Sequence, residues 1–421
     1  MENLTGLENV FIGYKTAQAN THGTSNVYIR SESGFSNTLG ADNLFIGSRT
    51  GYYNSEGINN VFLGSRSGFN NLDGDDNVFV GFETGFHNTT GIRNTFIGNK
   101  AGYANTLGND NIFIGELAGY ESISGNENIF IGKRAGHMAL NSEKNTYIGS
   151  YSGQQTTTGT GNTFLGHGTG LGNQEGSQNT YIGALAVNRD TVGNNNVALG
   201  FNAGGWSYGS NNIYLGAGAG MEAVGDSNIF IGYNAGFTDT TSHSLYIATH
   251  AYDDSTLALV YGRFDYQWLR VNKSLGVGRT PEVNALEVEG NASKTTSGDW
   301  LANSDKRIKT DIKDIENSFE TVLELRPVKF KYTDYWKSKH PSVEDKYYYN
   351  FIAQEYQKVF PYSVKGSGEF IEGDSSEILQ IDTYNAQVVT IKAVQELIKE
   401  NKVLKTRIDK LEKMVNEMLN K

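Results

Sequence analysis

A motif of seventeen residues repeats along the first 250 residues of this chain of 421 residues. The first copy reads Asn-Val-Phe-Ile-Gly from Asn9, and its asparagine returns at 26, 43, 60, 77, 94, 111, 128, 145, 162, 179, 196, 212 and 228. A fixed short period is typical of a solenoid, in which each coil buries its apolar surface only against its neighbours. We expect a degenerate fifteenth copy, residues 244–247, to close the stack.

The residue types in each copy favour stacked strands over helices. Glycine recurs several times per copy, and Phe, Tyr, Ile and Val fill the apolar positions. Glycine disfavours helices, whereas aromatic and β-branched residues suit a pleated surface. Each copy is interpreted as a five-residue strand such as 111–115, a polar step, a small-Gly-aromatic step such as 118–120, and a turn. The prediction is a mostly β chain with a parallel β-solenoid or β-roll shaft.

Both faces of each predicted strand are apolar. Successive side chains point to opposite faces, so Ile112 and Ile114 face one way and Phe113 faces the other. One of the two rows must therefore lie outside the coil, and it would far exceed the roughly 300–600 Å² patch of a typical monomer. Identical chains in register would cover it; a broad solenoid that folds over its own stripe is the alternative. The candidate oligomer core in the shaft is Phe11, Phe45, Phe79, Phe113, Phe130 and Phe164.

Composition excludes several classes of function. The chain has no cysteine, so it has neither disulfides nor thiolate metal sites, and its seven histidines show no ligand spacing. We expect no cofactor and no metal, with an ion on a three-fold axis left open. The formal charge of -11 argues against nucleic acid or anionic membranes as partners. No apolar run approaches the roughly 20 residues of a membrane span, so no membrane insertion is expected.

The two ends of the repeat region suggest further parts. The first coil begins at residue 9 and would leave a bare strand edge, so we expect an N-terminal attachment partner or a missing N-terminal region. All four prolines lie beyond residue 280, and 46 of the 51 glycines lie before it. We predict a shaft over 1–250, a β neck over 251–303 with short strands, and a C-terminal domain over 304–421.

A heptad pattern begins at Val394. The a positions are Val394, Asn401, Ile408 and Val415, and the d positions are Leu397, Leu404, Leu411 and Met418. This pattern predicts a parallel coiled coil over about 388–421, with Leu397, Leu404, Ile408 and Leu411 in its core. The heptads do not fix the number of chains. A single amphipathic helix packed on its own domain is the alternative.

Four segments carry a family resemblance. They are Ser-Asp-Lys-Arg-Ile-Lys at 304–309, Leu-Glu-Leu-Arg-Pro at 323–327, Phe-Ile-Ala-Gln-Glu at 351–355 and Val-Phe-Pro at 359–361. With the closing helix, they make residues 304–421 similar to the endosialidase-type intramolecular chaperone domain, a self-cleaving C-terminal peptidase of phage tail fibres and tailspikes. The resemblance implies a trimer whose chaperone domain guides folding and then cuts the Asn303–Ser304 bond. Asn350 departs from the family, which usually has glycine there.

The chemistry expected at this bond rests on Ser304 and Lys309. A serine hydroxyl needs a base, and a lysine can act as one only if burial or nearby positive charge lowers the pKa of its ammonium group. Lys306 and Arg307 are cations close in sequence that could supply such charge. Without the surrounding motifs, this Ser and Lys would be interpreted as a solvated turn.

The repeats also resemble those of trimeric autotransporter adhesin heads, which have shorter coils with an N-x-x-x-I-G strand. This resemblance implies a trimeric parallel β-roll. We expect an extracellular homotrimeric fibre of a virion tail, an injection system or a cell surface, which binds a glycan or protein receptor. The alternative is a tailspike-type glycan depolymerase, although acidic residues such as Asp75, Asp76, Glu83 and Glu116 are scattered among turn positions.

Overall fold

The computed structural model of the protein describes residues 5–249, 255–278, 280–281, 285–288, 306–340 and 343–420. The chain forms two compact units, Met1–Asn272 and Lys273–Lys421. The first unit runs beyond the predicted end of the shaft at residue 250, because two further strands pair with the last coil. The predicted Asn303–Ser304 bond lies outside the described residues.

The first unit is a parallel stack of fifteen strands, one per coil. Their bounds are β1 Val10–Ile12, β2 Val27–Ile29, β3 Leu44–Ile46, β4 Val61–Leu63, β5 Val78–Val80, β6 Thr95–Ile97, β7 Ile112–Ile114, β8 Ile129–Ile131, β9 Thr146–Ile148, β10 Thr163–Leu165, β11 Thr180–Ile182, β12 Val197–Leu199, β13 Ile213–Leu215, β14 Ile229–Ile231 and β15 Ser244–Ile247. Each residue pairs with its equivalent in the next coil, as Phe45 does with Phe62. The predicted parallel β-solenoid is confirmed.

The stack ends where the chain reverses direction. Strands β16 Val260–Arg263 and β17 Trp268–Val271 pair antiparallel, β16 onto β15 and β17 onto β16. The open edge of β15, the last strand of the parallel stack, is thereby paired with β16. The repeat strands have three residues rather than the predicted five, because the flanking asparagine turns its side chain into the coil and the flanking glycine begins the corner.

The aromatic row lies inside the coil of one chain, which corrects the oligomer core predicted for the shaft. Phe45, Phe79, Phe113, Phe130 and Phe164 are fully buried, and Phe11 packs against them at the first coil. Their rings stack along the shaft, with centroids 4.7 Å apart between Phe45 and Phe62. These rings are not available to a second chain. The aliphatic residues on either side of them form the outer face.

A glycine six residues after most of the inner aromatics explains this orientation; Phe11 and Tyr181 have Ala17 and Val187 at that place instead. Gly51 has a φ of +54°, and a Cβ there would lie 2.5 Å from the Phe45 ring. Glycine leaves room for the ring and adopts this backbone conformation without strain, whereas Ala17 and Val187 adopt it with a side chain at positive φ. The break at Ala198 supports the same packing, since the ring of Tyr214 approaches Gly204, the equivalent glycine of the coil that has no aromatic.

The asparagine that opens each motif holds successive coils together from inside. Asn77 is fully buried; its Oδ1 accepts a hydrogen bond from the backbone N–H of Asn94, and its Nδ2 donates to the carbonyl of Gly91. The same contacts recur along the stack. Buried backbone groups need such partners. The invariant asparagine is therefore a structural requirement of the coil.

A second inner ladder contains two carboxyl groups, Asp190 and, three coils later, Asp239. In the first coils of this ladder, Asn37, Asn54, Asn71 and Asn88 each donate Nδ2 to the Oδ1 of the asparagine in the coil before. Asp190 occupies the position one coil after Asn173, whose Oδ1 is buried without a partner. Oδ1 of Asp190 accepts from the N–H of Gly193 at 3.0 Å, and burial raises the pKa of this carboxyl to about 6. An ionised Asp190 has no donor for the Oδ1 of Asn173.

Replacing Asp190 by asparagine is expected to stabilise the shaft above pH 6. The folded pKa lies above the unfolded one, so the stability from the protonated carboxyl is present below about pH 4 and is lost as the pH rises through about 6. The amide keeps the acceptor for Gly193 and adds a donor for Asn173. Urea unfolding at pH 8 should show a gain of about 1–3 kcal/mol that shrinks towards pH 4. Equal midpoints at pH 8 would contradict this.

The second unit is a small α+β unit. Its elements are the parallel pair β18 Leu275–Val277 and β19 Leu286–Val288, a 3-10 turn at Lys306–Ile308, α1 Ser318–Glu324, β20 Val328–Phe330, α2 Asp334–Lys339, β21 Tyr348–Asn350, α3 Ala353–Val359, a 3-10 turn at Pro361–Ser363, β22 Val364–Phe370, β23 Glu377–Ile381 and α4 Tyr384–Leu419. Strands β20 and β21 pair antiparallel, as do β22 and β23.

Helix α4 has 36 residues and two different halves. Its first turns pack on α1 and bury Ala386, Val389 and Ala393. Beyond them the helix is exposed, and its apolar a and d side chains have no cover within the described chain; Leu404, for example, is 46% exposed. The alternative of a helix packed on its own domain therefore does not hold for this half. Among the described helices, none is long and apolar enough to cross a membrane.

Candidate functional site

The predicted catalytic lysine follows a short turn at the start of the C-terminal unit. Residues Lys306–Ile308 form the 3-10 turn, and the backbone N–H of Lys309 donates to the carbonyl of Lys306 at 3.2 Å. The predicted nucleophile, Ser304, and the preceding Asn303 lie outside the described residues. Lys306, Arg307 and Lys309 are all exposed. One chain alone therefore does not bury the lysine that would act as the base.

An ion pair joins two of the segments that carried the family resemblance. Nε and Nη2 of Arg326, in 323–327, donate to the two carboxylate oxygens of Glu355, in 351–355, at 2.9 and 2.5 Å. This is the bidentate geometry that arginine and carboxylates favour. Arg326 holds the pKa of Glu355 below its usual value. The contact ties the start of β20 to the first turn of α3.

Asn350 replaces the usual glycine without strain. It ends β21 opposite Val328, and its own Oδ1 accepts a hydrogen bond from the N–H of Phe351 at 2.9 Å. Its φ is not in the left-handed region where glycine is favoured. The departure from the family pattern therefore keeps the strand pairing and adds a local hydrogen bond.

Helix α3 is anchored by a buried tyrosine. Tyr356 is 1% exposed, and its hydroxyl donates to the carbonyl of Asp382 at 3.1 Å. Its ring packs on Phe351 and Phe360, with centroids 5.1 and 5.3 Å away. Burial raises the pKa of this phenol. The tyrosine thereby connects the 351–355 and 359–361 segments to the residues just before α4.

A second contact connects α1 to α4. The hydroxyl of Ser318, which begins α1 and is fully buried, donates to a carboxylate oxygen of Glu396 at 2.5 Å. Lys392 lies one turn before Glu396 and pairs with it at 3.6 Å. The long helix is thus fixed to the part of the unit that follows Lys309 in sequence.

An open groove runs between the paired strands β20 and β21 and the first turns of α4. It has a volume of about 750 Å³, and its apolar lining includes Pro327, Val328, Phe351 and Ile391. Tyr349 at its edge is 76% exposed. The groove contains no catalytic candidate named from the sequence.

The acidic residues considered for glycan hydrolysis link neighbouring coils. Asp75 accepts from the backbone N–H of Ile58, and Asp76 from the amide of Asn59. Glu83 pairs with Arg66 and Lys100, and Glu116 pairs with Lys133 at 3.0 Å. Nothing in these contacts favours hydrolysis. In the described part of the chain, no group of three or more His, Asp or Glu side chains could hold a metal ion.

Sequence reasoning missed the pairs that hold this unit together. Arg326 and Glu355 are 29 residues apart, and Ser318 and Glu396 are 78 apart. No periodicity links such distant positions. The only available signal was that Arg326 and Glu355 each belong to a segment of the family pattern.

Residues 304–365 match the family model described as the chaperone of endosialidase. The match includes Ser304, Lys309, the Arg326–Glu355 pair and Tyr356, and it ends before α4. This family implies a self-cleaving intramolecular chaperone peptidase. The chaperone unit and the β-solenoid together fit a phage tail fibre or tailspike-like protein.

Proposed function

We propose that this protein is a homotrimeric extracellular fibre that binds a cell-surface receptor, and that its C-terminal domain assembles the trimer and then cuts the Asn303–Ser304 bond. The match of residues 304–365 to the chaperone of endosialidase carries this proposal. Two apolar surfaces that one chain leaves uncovered support it: the outer face of the shaft and the heptad half of α4.

The outer face of the shaft exposes apolar side chains along its length, and a partner surface would bury them. Each strand presents two outward positions, mostly Ile, Val, Leu and Thr, and these are half-buried or exposed in one chain; Ile97 is 37% and Leu165 is 44% exposed. Exposed apolar area of this extent marks an interaction surface. Because the coils are in parallel register, identical chains side by side would bring equivalent coils to the same height.

The C-terminal half of α4 is a second apolar surface that other copies of the chain would bury. Leu397, Leu404, Ile408 and Leu411 are between 46% and 59% exposed. In a parallel coiled coil, these side chains would fill the core, with Glu400 near Lys405 of a neighbouring helix. Both surfaces therefore call for parallel copies of the same chain.

The cleavage step uses the serine of the scissile bond. Oγ of Ser304 attacks the carbonyl carbon of Asn303, Nζ of Lys309 takes the hydroxyl proton, and the Asn303 acyl group moves from nitrogen to oxygen. The protonated Nζ of Lys309 returns this proton to the amide nitrogen, which leaves as the free amine of Ser304. Water then hydrolyses the ester, giving an Asn303 carboxylate and regenerating the serine hydroxyl. Each chain acts once.

Assembly would supply what one chain lacks. Lys309 is exposed in one chain, whereas a general base of this type needs burial or positive charge around it. Three copies would bring three sets of Lys306, Arg307 and Lys309 together and remove water from them. We therefore propose that cleavage follows trimer formation, which would limit release of the chaperone to correctly assembled fibres.

Aspartate at two heptad positions should abolish both assembly and cleavage. In the Leu404→Asp/Leu411→Asp variant, the trimer would have to bury six carboxylates, at a cost of several kcal/mol each. Native mass spectrometry should show single full-length chains at micromolar concentration, where the wild-type protein shows trimers and a released 304–421 fragment. The matched control, Thr406→Asp/Lys413→Asp, changes outer heptad positions and should behave as wild type. Cleavage in a single-chain variant would refute the order of events.

A further inference from the structure

A shallow groove lies along the outside of the first five coils. It has a volume of about 410 Å³ and follows the residue two positions after each strand, from Tyr14 after β1 to Phe82 after β5. Ser31, Ser48 and Ser65 form its floor between these two aromatic ends. Tyr14 is 68% and Phe82 is 46% exposed. The two rings are four strand spacings apart, about 19 Å.

A column of charges, one per coil, runs beside the groove, and three of them, Glu32, Arg49 and Arg66, line it. In order along the shaft, the residues are Lys15, Glu32, Arg49, Arg66, Glu83 and Lys100. Four of the six are basic, whereas the whole chain carries a formal charge of -11. The column is therefore a basic strip on an acidic protein.

Two arginines of this column are next to each other on consecutive coils. Arg49 pairs with Glu32, on the coil before it, at 2.7 Å. Arg66 pairs with Glu83, on the coil after it, at 3.0 Å. The acids therefore lie on the outer sides of the arginine pair and leave no carboxylate between the two guanidinium groups. These pairs use only Nε of Arg49 and only Nη1 of Arg66, so each guanidinium group has further donors that can bind a second anion.

From this arrangement we infer that the groove binds an acidic oligosaccharide lying along the shaft. A carboxylate or sulfate of the sugar chain is held between Arg49 and Arg66, since guanidinium groups bind such anions by paired hydrogen bonds. The serine floor bonds to sugar hydroxyls, and the two exposed rings pack on the apolar faces of sugar rings. The inference rests on the proposed function, because it places the receptor contact of the fibre at a named site.

The serines and arginines that line the groove favour a saccharide over nucleic acid or a second copy of the shaft as its ligand. Nucleic acid would meet the strong negative charge of the rest of the chain. A second copy of the shaft would be expected on the apolar outer face of the strands rather than on a floor of serines. An extended sugar chain matches both the straight course of the groove and its spacing of hydroxyls and rings.

The test is calorimetric titration of the full-length trimer with tetragalacturonic acid and with a neutral tetrasaccharide, maltotetraose. Saturable binding of the acidic sugar is expected, with maltotetraose about tenfold weaker or undetectable. The Arg49→Gln/Arg66→Gln variant should bind the acidic sugar at least about tenfold more weakly, since it lacks both charged donors. The Ser48→Glu variant should also bind it more weakly, because a carboxylate on the serine floor of the groove repels the acidic sugar. Arg93→Gln is the matched control, because Arg93 also pairs along the shaft, with Asp110, but lies outside the groove.

The outcomes separate this inference from the proposed function. Equal binding of both sugars, or unchanged binding in both groove variants, would overturn the groove as an acidic-glycan site. A change in subunit number in the groove variants would overturn it as well, since the groove would then belong to a contact between chains. If the wild-type fibre adheres to receptor-bearing cells and the groove variants adhere equally, the receptor function stands and the site is elsewhere. If the wild-type fibre adheres to no cell tested, the proposed function itself fails.

Discussion

Chains with Ser304→Ala are expected to stay at full length on a denaturing gel, while wild-type chains release the 304–421 fragment. Alanine removes the hydroxyl that is proposed to attack the Asn303 carbonyl, so the cleavage rate should fall by on the order of a thousandfold or more. Trimer formation should be unaffected, because the substitution removes one hydroxyl and leaves the apolar surfaces proposed for the trimer unchanged. Native mass spectrometry of the same sample would show three uncut chains.

Variants of Lys309 test the second half of the mechanism. Lys309→Ala and Lys309→Arg should both block cleavage, because arginine keeps the positive charge but cannot accept the hydroxyl proton. Lys306→Ala is the matched control: this exposed lysine lies in the same turn, and cleavage should continue without it, if more slowly. Cleavage in the Ser304→Ala chain, or in both Lys309 variants, would exclude the Ser-Lys mechanism and leave the chaperone role to be tested separately.

Gly51→Ala is expected to destabilise the shaft by about 2–4 kcal/mol. Two costs combine at this position. The backbone of Gly51 has a φ of +54°, where a side chain is strained, and the new Cβ would lie 2.5 Å from the buried Phe45 ring. The ring cannot move away, since it is stacked between Tyr28 and Phe62. The urea midpoint of the full-length protein should fall accordingly.

Gly161→Ala separates the two costs. Gly161 has nearly the same backbone conformation, with a φ of +67°, but its nearest neighbour to a new Cβ is 3.9 Å away. Only the backbone cost of about 1 kcal/mol should remain. If both variants lose the same stability, the tight contact between glycine and aromatic ring is not what orients the inner row.

The repeat predicted the architecture but not which face of the strand lies inside. Period, parallel register and strand positions all follow from one motif, and β3 and β4 pair as the spacing requires. Alternation of side chains could not choose between Phe45 and its aliphatic neighbours, because both rows are apolar. The clue was Gly51, whose missing side chain marks the place that the ring occupies.

The candidate site was less predictable because its parts come from distant segments and, in the proposed trimer, from more than one chain. Motif positions named Ser304 and Lys309, and the pairing of Arg326 with Glu355 shows why two motifs of the family occur together. Sequence could not show that Lys309 is exposed in one chain. Its surroundings in the proposed trimer depend on contacts between copies, which no pattern within one copy records.

The inner asparagine ladder has a consequence for how the shaft finds its register. Asn77 bonds to Asn94 as Asn94 bonds to Asn111, so a coil displaced by one whole period would exchange nearly every inner bond for an equivalent one. Such a slip would leave one coil of the chain out of the stack, but the contacts among the remaining coils would be equivalent, so the middle of the stack does not distinguish one register from another. The register must therefore be set at an end of the stack that differs from the repeats, and the antiparallel hairpin β16–β17 is such an end. It is adjacent in sequence to the C-terminal unit, which in the proposed trimer would keep equivalent coils of the three chains side by side.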